Sequence, residues 1–194
     1  MKDNFSTQSD KYAKFRPAYP RELYDFLLSL VPGTQKAWDC GTGNGQVAQE
    51  LANFFHQVFA TDISQEQIKN APPNGKIVYS VQKAENTSFP DNTFDLITVA
   101  QAIHWFDFNE FYKEVNRTIK HNGIIAVTGY GLMQTYREAD LIIDDFYHNI
   151  IGPYWDKERR YIDDHYRYIP FPFYELESIQ LENKFEWTLE HLIG

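Results

Sequence analysis

The chain has 194 residues, the length of one domain with a full core, and its 43 % hydrophobic and 23 % charged residues are those of a globular protein. Eighteen basic against 27 acidic side chains leave a formal charge of −9, which argues against a nucleic-acid backbone as partner. No apolar run reaches the roughly 20 residues of a membrane span, the N-terminus carries no apolar leader, and the lone Cys40 excludes an internal disulfide framework, so a cytoplasmic protein is expected.

The first 19 residues are polar and aromatic and end in Tyr12-Ala13-Lys14-Phe15-Arg16-Pro17-Ala18-Tyr19-Pro20, where two prolines prevent a continuous helix. Leu23, Phe26, Leu27 and Leu30 then mark an amphipathic helix opened by Pro20 and closed by Pro32-Gly33. Next, Ala37-Trp38-Asp39-Cys40-Gly41-Thr42-Gly43-Asn44-Gly45 reads as a strand running into a glycine turn, and Val47, Leu51, Phe54 and Phe55 follow at helical spacing. Such a turn exposes backbone N–H groups to a ligand. A dinucleotide fingerprint wants a small residue where Gln46 stands. Asp39 would repel a pyrophosphate and attract an ammonium, so the expected ligand is a nucleoside with an amino-acid tail.

Gln57–Asp62 reads as a second strand ending in an acid, about 20 residues past the turn, where an acid meets ribose hydroxyls in a Rossmann-type unit. Ser64-Gln65-Glu66-Gln67 supplies its own capping box, which leaves Asp62 for the ribose; a mere helix cap is the alternative. Lys76–Val81 is a third strand, followed by Ala84-Glu85. Phe94–Ala100, nearly all apolar, is a central parallel strand running into Gln101-Ala102-Ile103-His104-Trp105-Phe106. Asp107-Phe108-Asn109-Glu110 caps a helix that Lys120-His121-Asn122-Gly123 is expected to close, and Ile124–Gly129 is a fifth strand. Alternating strands and helices imply an α/β, doubly wound, mostly parallel sheet with helices on both faces. Ligands of such sheets bind at the C-terminal strand ends, where Asp39–Gly45, Asp62, Ala84-Glu85 and Gln101–Trp105 all fall.

After Gly129 the alternation breaks. Residues 130–175, with Leu141, Ile142, Phe146 and Ile150 at helical spacing and an aromatic, charged piece from Tyr154, are expected to form a lid insertion. Ile179–Trp187 alternates in part and reads as an edge or antiparallel strand, and Thr188 as the start of a helix.

The glycine stretch resembles motif I of the S-adenosylmethionine-dependent methyltransferases with the Rossmann-like fold. Phe15-Arg16-Pro17-x-Tyr19-Pro20, Ala102-x-His104-Trp105-Phe106 and Trp155…Arg159 resemble the small-molecule methyltransferases akin to trans-aconitate methyltransferase. The resemblance implies S-adenosyl-L-methionine as cofactor, bound by Tyr12, Arg16, Asp39, Gly41, Thr42, Gly43, Gly45, Asp62, Ile63, Ala84, Glu85 and Gln101, with Ala84 and Glu85 on the adenine. It implies a small-molecule acceptor met by His104 and Trp105, no metal, no nucleic acid and no membrane, in a monomer or homodimer. A carboxylate acceptor needs no base, a hydroxyl acceptor would use His104, and Arg16, Arg137, Arg159 and Arg160 are candidates to clamp an acidic one. Each of these side chains has an ordinary alternative: His104 packed beside Trp105, each arginine a solvated charge. The rival readings are a silent S-adenosylmethionine-binding or partner protein and a nicotinamide oxidoreductase. The family continues past this point to a further strand, so the chain reads as C-terminally truncated, with Ile179–Trp187 or a second chain expected to cover the fifth strand.

Overall fold

The computed structural model describes residues 18–176 and 178–188. Two compact units divide the chain at Thr128: one runs to that residue and resumes at Phe171, and the other is Gly129–Pro170.

In the first unit, helix α1 (Arg21–Leu30) turns its Leu23, Tyr24 and Leu27 inward and starts from Pro20, whose extended backbone and missing N–H suit a helix start. Strand β1 (Lys36–Cys40) leads through the glycine turn into α2 (Gln46–Leu51). Strand β2 (Gln57–Asp62) and helix α3 (Gln65–Lys69) follow, and Ser64 Oγ accepts the Gln67 N–H at 3.3 Å as the capping pattern requires. Strands β3 (Ile77–Val81) and β4 (Phe94–Ala100), a 3-10 turn at Ile103–Trp105, helix α4 (Phe108–Thr118) and strand β5 (Ile119–Thr128) complete the alternation.

The five strands lie in the order β3-β2-β1-β4-β5, and every pair is parallel. Both sheet faces are covered because side chains alternate along each strand. Ala37 packs with Val47, Ala48, Leu51, Phe55 and Tyr24 on the α1–α2 face. Trp38, its neighbour in sequence, points the other way into a ring cluster with Phe89, Phe94 and Phe111 at centroid distances of 5.5–6.5 Å. The Trp38 indole N–H donates to Thr61 Oγ1 at 2.9 Å, so the one polar atom of this buried side chain is satisfied.

Two expectations are corrected. Lys120–Gly123 does not close α4: the helix ends at Thr118, and those residues belong to β5, bulged out where the register steps from Phe94↔Ile119 to Leu96↔Ile124. Asn122, at φ +64°, takes the left-handed position, and Gly123 lies where a Cβ would meet the Phe94 carbonyl at 2.9 Å. The segment 179–187 is not a strand, and β4 is the one partner of β5 among the described residues. Its Leu181, Phe185 and Trp187 are 38–46 % exposed, and Glu182, Lys184 and Glu186 interrupt them, so the alternation provides no face worth burying. Asn183 Nδ2 instead donates to the Ala18 carbonyl at 2.5 Å. Thr188 is not helical, and 189–194 lie outside the described residues.

The second unit contains α5 (Arg137–Asp145), a π-turn at Phe146–Ile150, short 3-10 turns and α6 (Arg160–Asp163). The stripe read as a helix is helical, but Leu141, Ile142, Phe146 and Ile150 are all exposed. Order here comes from Tyr147, which is buried. Its hydroxyl accepts from Arg159 Nε at 2.9 Å and donates to Asp163 Oδ1 at 2.8 Å, while the Arg159 guanidinium stacks on Trp155 at 4.6 Å.

Candidate functional site

The sheet reverses direction of winding at β1: the chain goes outward to β2 and β3, then returns past β1 to β4 and β5. The crevice at the C-terminal ends of β1 and β4 is therefore the switch point, where ligands of open α/β sheets bind. A cleft lies there, lined by Tyr19, Asp39, Gly41, Thr42, Asn44, Gln46, Val47 and Ala100.

The turn beside it takes a left-handed conformation that favours glycine. Gly41, Gly43 and Gly45 have φ of +69°, +55° and +87°. A Cβ on Gly41 would also come 2.6 Å from Ala102 Cβ, so the turn abuts the segment that carries His104 and Trp105. The Gly41 and Thr42 N–H groups both donate to the Thr61 carbonyl at 2.9 Å, tying the turn to β2.

Asp39 is buried, and three donors meet its carboxylate. Thr42 Oγ1 (2.5 Å) and the Ala48 N–H (3.1 Å) reach Oδ2, and Thr98 Oγ1 (2.8 Å) reaches Oδ1. One side chain thus joins β1, the glycine turn, the first turn of α2 and β4. Burial pushes its pKa up to about 6, and the charge of Asp62 adds to that, against the lowering effect of the Thr42, Thr98 and Ala48 bonds.

Asp62 stands at the end of β2. Its Oδ2 accepts the Gly43 N–H and its Oδ1 the Ser64 N–H, each at 2.9 Å. The expectation that the Ser64 cap leaves Asp62 disengaged is corrected: Ser64 does cap α3, but its own N–H turns back to Asp62. Ile63 follows, half-buried.

After β3, Ala84 is buried and Glu85 half-buried. Glu85 Oε1 accepts the Asp107 N–H at 3.1 Å, at the start of α4, while Oε2 is a buried acceptor with no donor among the described residues. Gln101 has φ +55°, unusual for a residue with a side chain, and its N–H donates to the Thr128 carbonyl at 2.9 Å. His104 is buried, its ring centroid 4.8 Å from that of the half-buried Trp105.

The structure thus brings Asp39, Gly41 and Thr42 into the cleft, joins Gly43 to Asp62, and sets Gly41 against the start of the His104–Trp105 segment. Glu85 bonds to α4 rather than to the turn, and Tyr12 and Arg16 lie outside the described residues. Arg137 and Arg160 are exposed, and Arg159 is committed to Trp155 and Tyr147. Among the lining residues not expected from the sequence to hold the cofactor, Asn44, Gln46 and Val47 follow directly from the glycine pattern, and Tyr19 stood in the Arg-Pro-x-Tyr-Pro stretch. Ala100 gave no signal beyond ending a strand.

A parallel sheet in this order, with a glycine turn at the switch point and acids ending β1 and β2, defines the Rossmann-like methyltransferase class of α/β proteins. Residues 38–127 match the family described as methyltransferase domain. A candidate methyltransferase of Dictyostelium discoideum is 39 % identical over 168 residues, 84 % of this chain and 64 % of that protein. The solved structure of a candidate type II methyltransferase from Anaeromyxobacter dehalogenans is 38 % identical, with a TM-score of 0.78 over 84 % of this chain and 70 % of that one. A candidate S-adenosyl-L-methionine-dependent methyltransferase of Methanococcus maripaludis, 20 % identical, shares the fold at a TM-score of 0.64 over 87 % of this chain and 83 % of its own. The chain belongs to the methyltransferase family. It spans less than two thirds of the length of the Dictyostelium relative.

Proposed function

We propose that this chain binds S-adenosyl-L-methionine and transfers its methyl group to a small-molecule acceptor. The observation that carries the reading is the charge and shape of the switch-point cleft. Among the described residues its lining holds one carboxylate, Asp39, and no cationic side chain, with Gly41, Thr42 and Asn44 of the glycine turn along it. A pyrophosphate would meet repulsion there, whereas an ammonium is attracted. The residues present suit the cofactor in other ways. Above Gly43 a Cβ would meet, among the described residues, only Gln67 Oε1, at 3.9 Å, so the main chain there is open to close approach. A carboxylate at the place of Asp62 suits the two ribose hydroxyls, and Glu85 Oε2, buried with no donor among the described residues, suits an exocyclic amine.

The bound cofactor supplies the electrophilic methyl group; the protein positions the acceptor and keeps water out. His104 and Trp105 are the acceptor-side candidates because they follow β4 directly and abut the glycine turn through Ala102. A carboxylate acceptor arrives ionised and asks nothing of His104, whereas a hydroxyl acceptor asks it to take a proton. Methyl transfer from labelled S-adenosyl-L-methionine to a panel of small carboxylic acids and phenols tests the reading. Labelled product from at least one acceptor, abolished by His104→Phe only for phenols, is expected. Tight cofactor binding with no product from any acceptor would favour a silent binding protein, and binding of a nicotinamide nucleotide instead would overturn the proposal.

A further inference from the structure

The glycine turn is held at three points, of which the cofactor reading uses two. Asp39 fixes Thr42, and Asp62 fixes Gly43. The third is Gly45, which starts α2 at φ +87° and closes the turn through its N–H to the Thr42 carbonyl at 3.0 Å. A residue without a side chain has nothing of its own to hold it in that conformation. What lies against it is Tyr79 of β3. A Cβ on Gly45 would come 2.5 Å from Tyr79 Oη, 2.9 Å from Cε1 and 3.1 Å from Cζ, so the phenol ring rests on the glycine with no room between them.

The ring is itself pinned. Gln49, one helical turn beyond Gly45, donates its backbone N–H to the Gly45 carbonyl at 2.9 Å. Its Nε2 donates to Tyr79 Oη at 3.0 Å and to the Pro72 carbonyl at 2.7 Å, and its Oε1 accepts from Asn74 Nδ2 at 3.0 Å. Gly45, Gln49 and Tyr79 therefore form a closed loop of contacts between α2, β3 and the segment that precedes β3. Gly45 lies between Asn44 and Gln46, two of the residues that line the cleft, so the loop reaches the cleft through the turn itself.

We propose that Tyr79 is a positioning residue for the cofactor cleft. Its ring and hydroxyl hold Gly45 in the left-handed conformation and so pre-set the turn's backbone amides before the ligand arrives. A turn already in its bound form costs no ordering on binding, and a loosened one subtracts that cost from affinity. The proposal rests on the cofactor reading above for its affinity arm and on the fold alone for its dynamic arm.

The test compares the wild-type chain with Tyr79→Phe, which keeps the ring and removes the bond from Gln49, and with Tyr79→Leu, which removes the ring. Three quantities are measured: amide hydrogen exchange at Gly45 without ligand, the thermal midpoint without ligand, and calorimetric affinity for S-adenosylhomocysteine. In Tyr79→Phe the Gly45 amide should exchange faster and affinity should fall about three- to tenfold, the scale of one neutral hydrogen bond. The midpoint should hold, which a merely structural role would not predict. Tyr79→Leu should lose more affinity. Unchanged exchange in both variants, or an affinity loss matched by a general loss of stability, would overturn the proposal. If the wild-type chain fails to bind S-adenosylhomocysteine, the cofactor reading falls, and Gly45 exchange alone decides whether Tyr79 sets the turn.

Discussion

Asp39 shows how much one side chain can carry. Its three hydrogen bonds join four pieces of backbone, yet its charge is held in a buried site with Asp62 nearby. Its folded pKa, about 6, stands above the 3.8 of an unperturbed aspartate. The folded state therefore holds this proton more tightly than the unfolded one. The resulting stabilisation is full below the unfolded value and is lost as pH rises towards 6. A shift of this size corresponds to about 3 kcal/mol at most. Asp39→Asn should flatten the fall in stability between pH 4 and 6, read as the urea midpoint at each pH. An identical slope in wild type and variant would remove Asp39 as its source. The site residues most legible in the sequence were of this kind, acids and glycines at strand ends. What could not be read was where each carboxylate is spent: the Ser64 cap was expected to leave Asp62 for a ribose, and Asp62 holds the Gly43 and Ser64 amides as well, because a tight turn leaves N–H groups that need an acceptor.

At the scale of elements, α4 is fastened to the turn before β4 by one buried acid. Glu114 Oε1 accepts from the Thr87 N–H (2.8 Å), from Thr87 Oγ1 (2.5 Å) and from Arg117 Nη2 (2.6 Å), and Arg117 Nη1 continues to the Phe89 carbonyl at 2.6 Å. Burial pushes the Glu114 pKa up, but the bonds from Arg117 and Thr87 outweigh it, so the net shift is downward. The stabilisation is then present above the ordinary carboxylate range and lost as pH falls through the lower folded value. Glu114→Gln should cost about 1.5–3 kcal/mol near neutral pH, with the difference closing in acid, as thermal unfolding at both pH values would show. An equal cost at both would contradict the account. Strands β2 and β4 were legible to the residue because their alternation or apolar run is bounded by turns. The α4–β5 junction was not, because Lys120-His121-Asn122-Gly123 carries every mark of a helix end, and only tertiary pairing of Ile119 with Phe94 makes it a strand bulge. Ile179–Trp187 misled in the opposite way: partial alternation suggests a strand, but a strand forms only where a neighbour takes its backbone bonds and one face is buried.

In the molecule as a whole, sheet order is what gathers the site. The order β3-β2-β1-β4-β5 places the glycine turn, Asp62, Glu85 and the His104–Trp105 segment at one edge of a single sheet, though 65 residues of sequence separate Asp39 from His104. The alternation of elements made the parallel sheet legible, and with it the gathering of these segments at the C-terminal ends of its strands. The 129–170 unit was less so, since its order rests on Tyr147, Arg159, Trp155 and Asp163, a set of contacts without any period in sequence.

The central claim is that this edge binds S-adenosyl-L-methionine with Asp62 on the ribose. Calorimetric titration of the whole chain with S-adenosylhomocysteine, set beside Asp62→Ala and beside a nicotinamide nucleotide, tests it most directly. The account predicts binding by the wild type, no heat from the nicotinamide nucleotide, and a loss in Asp62→Ala of about 1.5–3 kcal/mol, the scale of a charged hydrogen bond. Equal affinity in wild type and variant, or preference for the nicotinamide nucleotide, would contradict it.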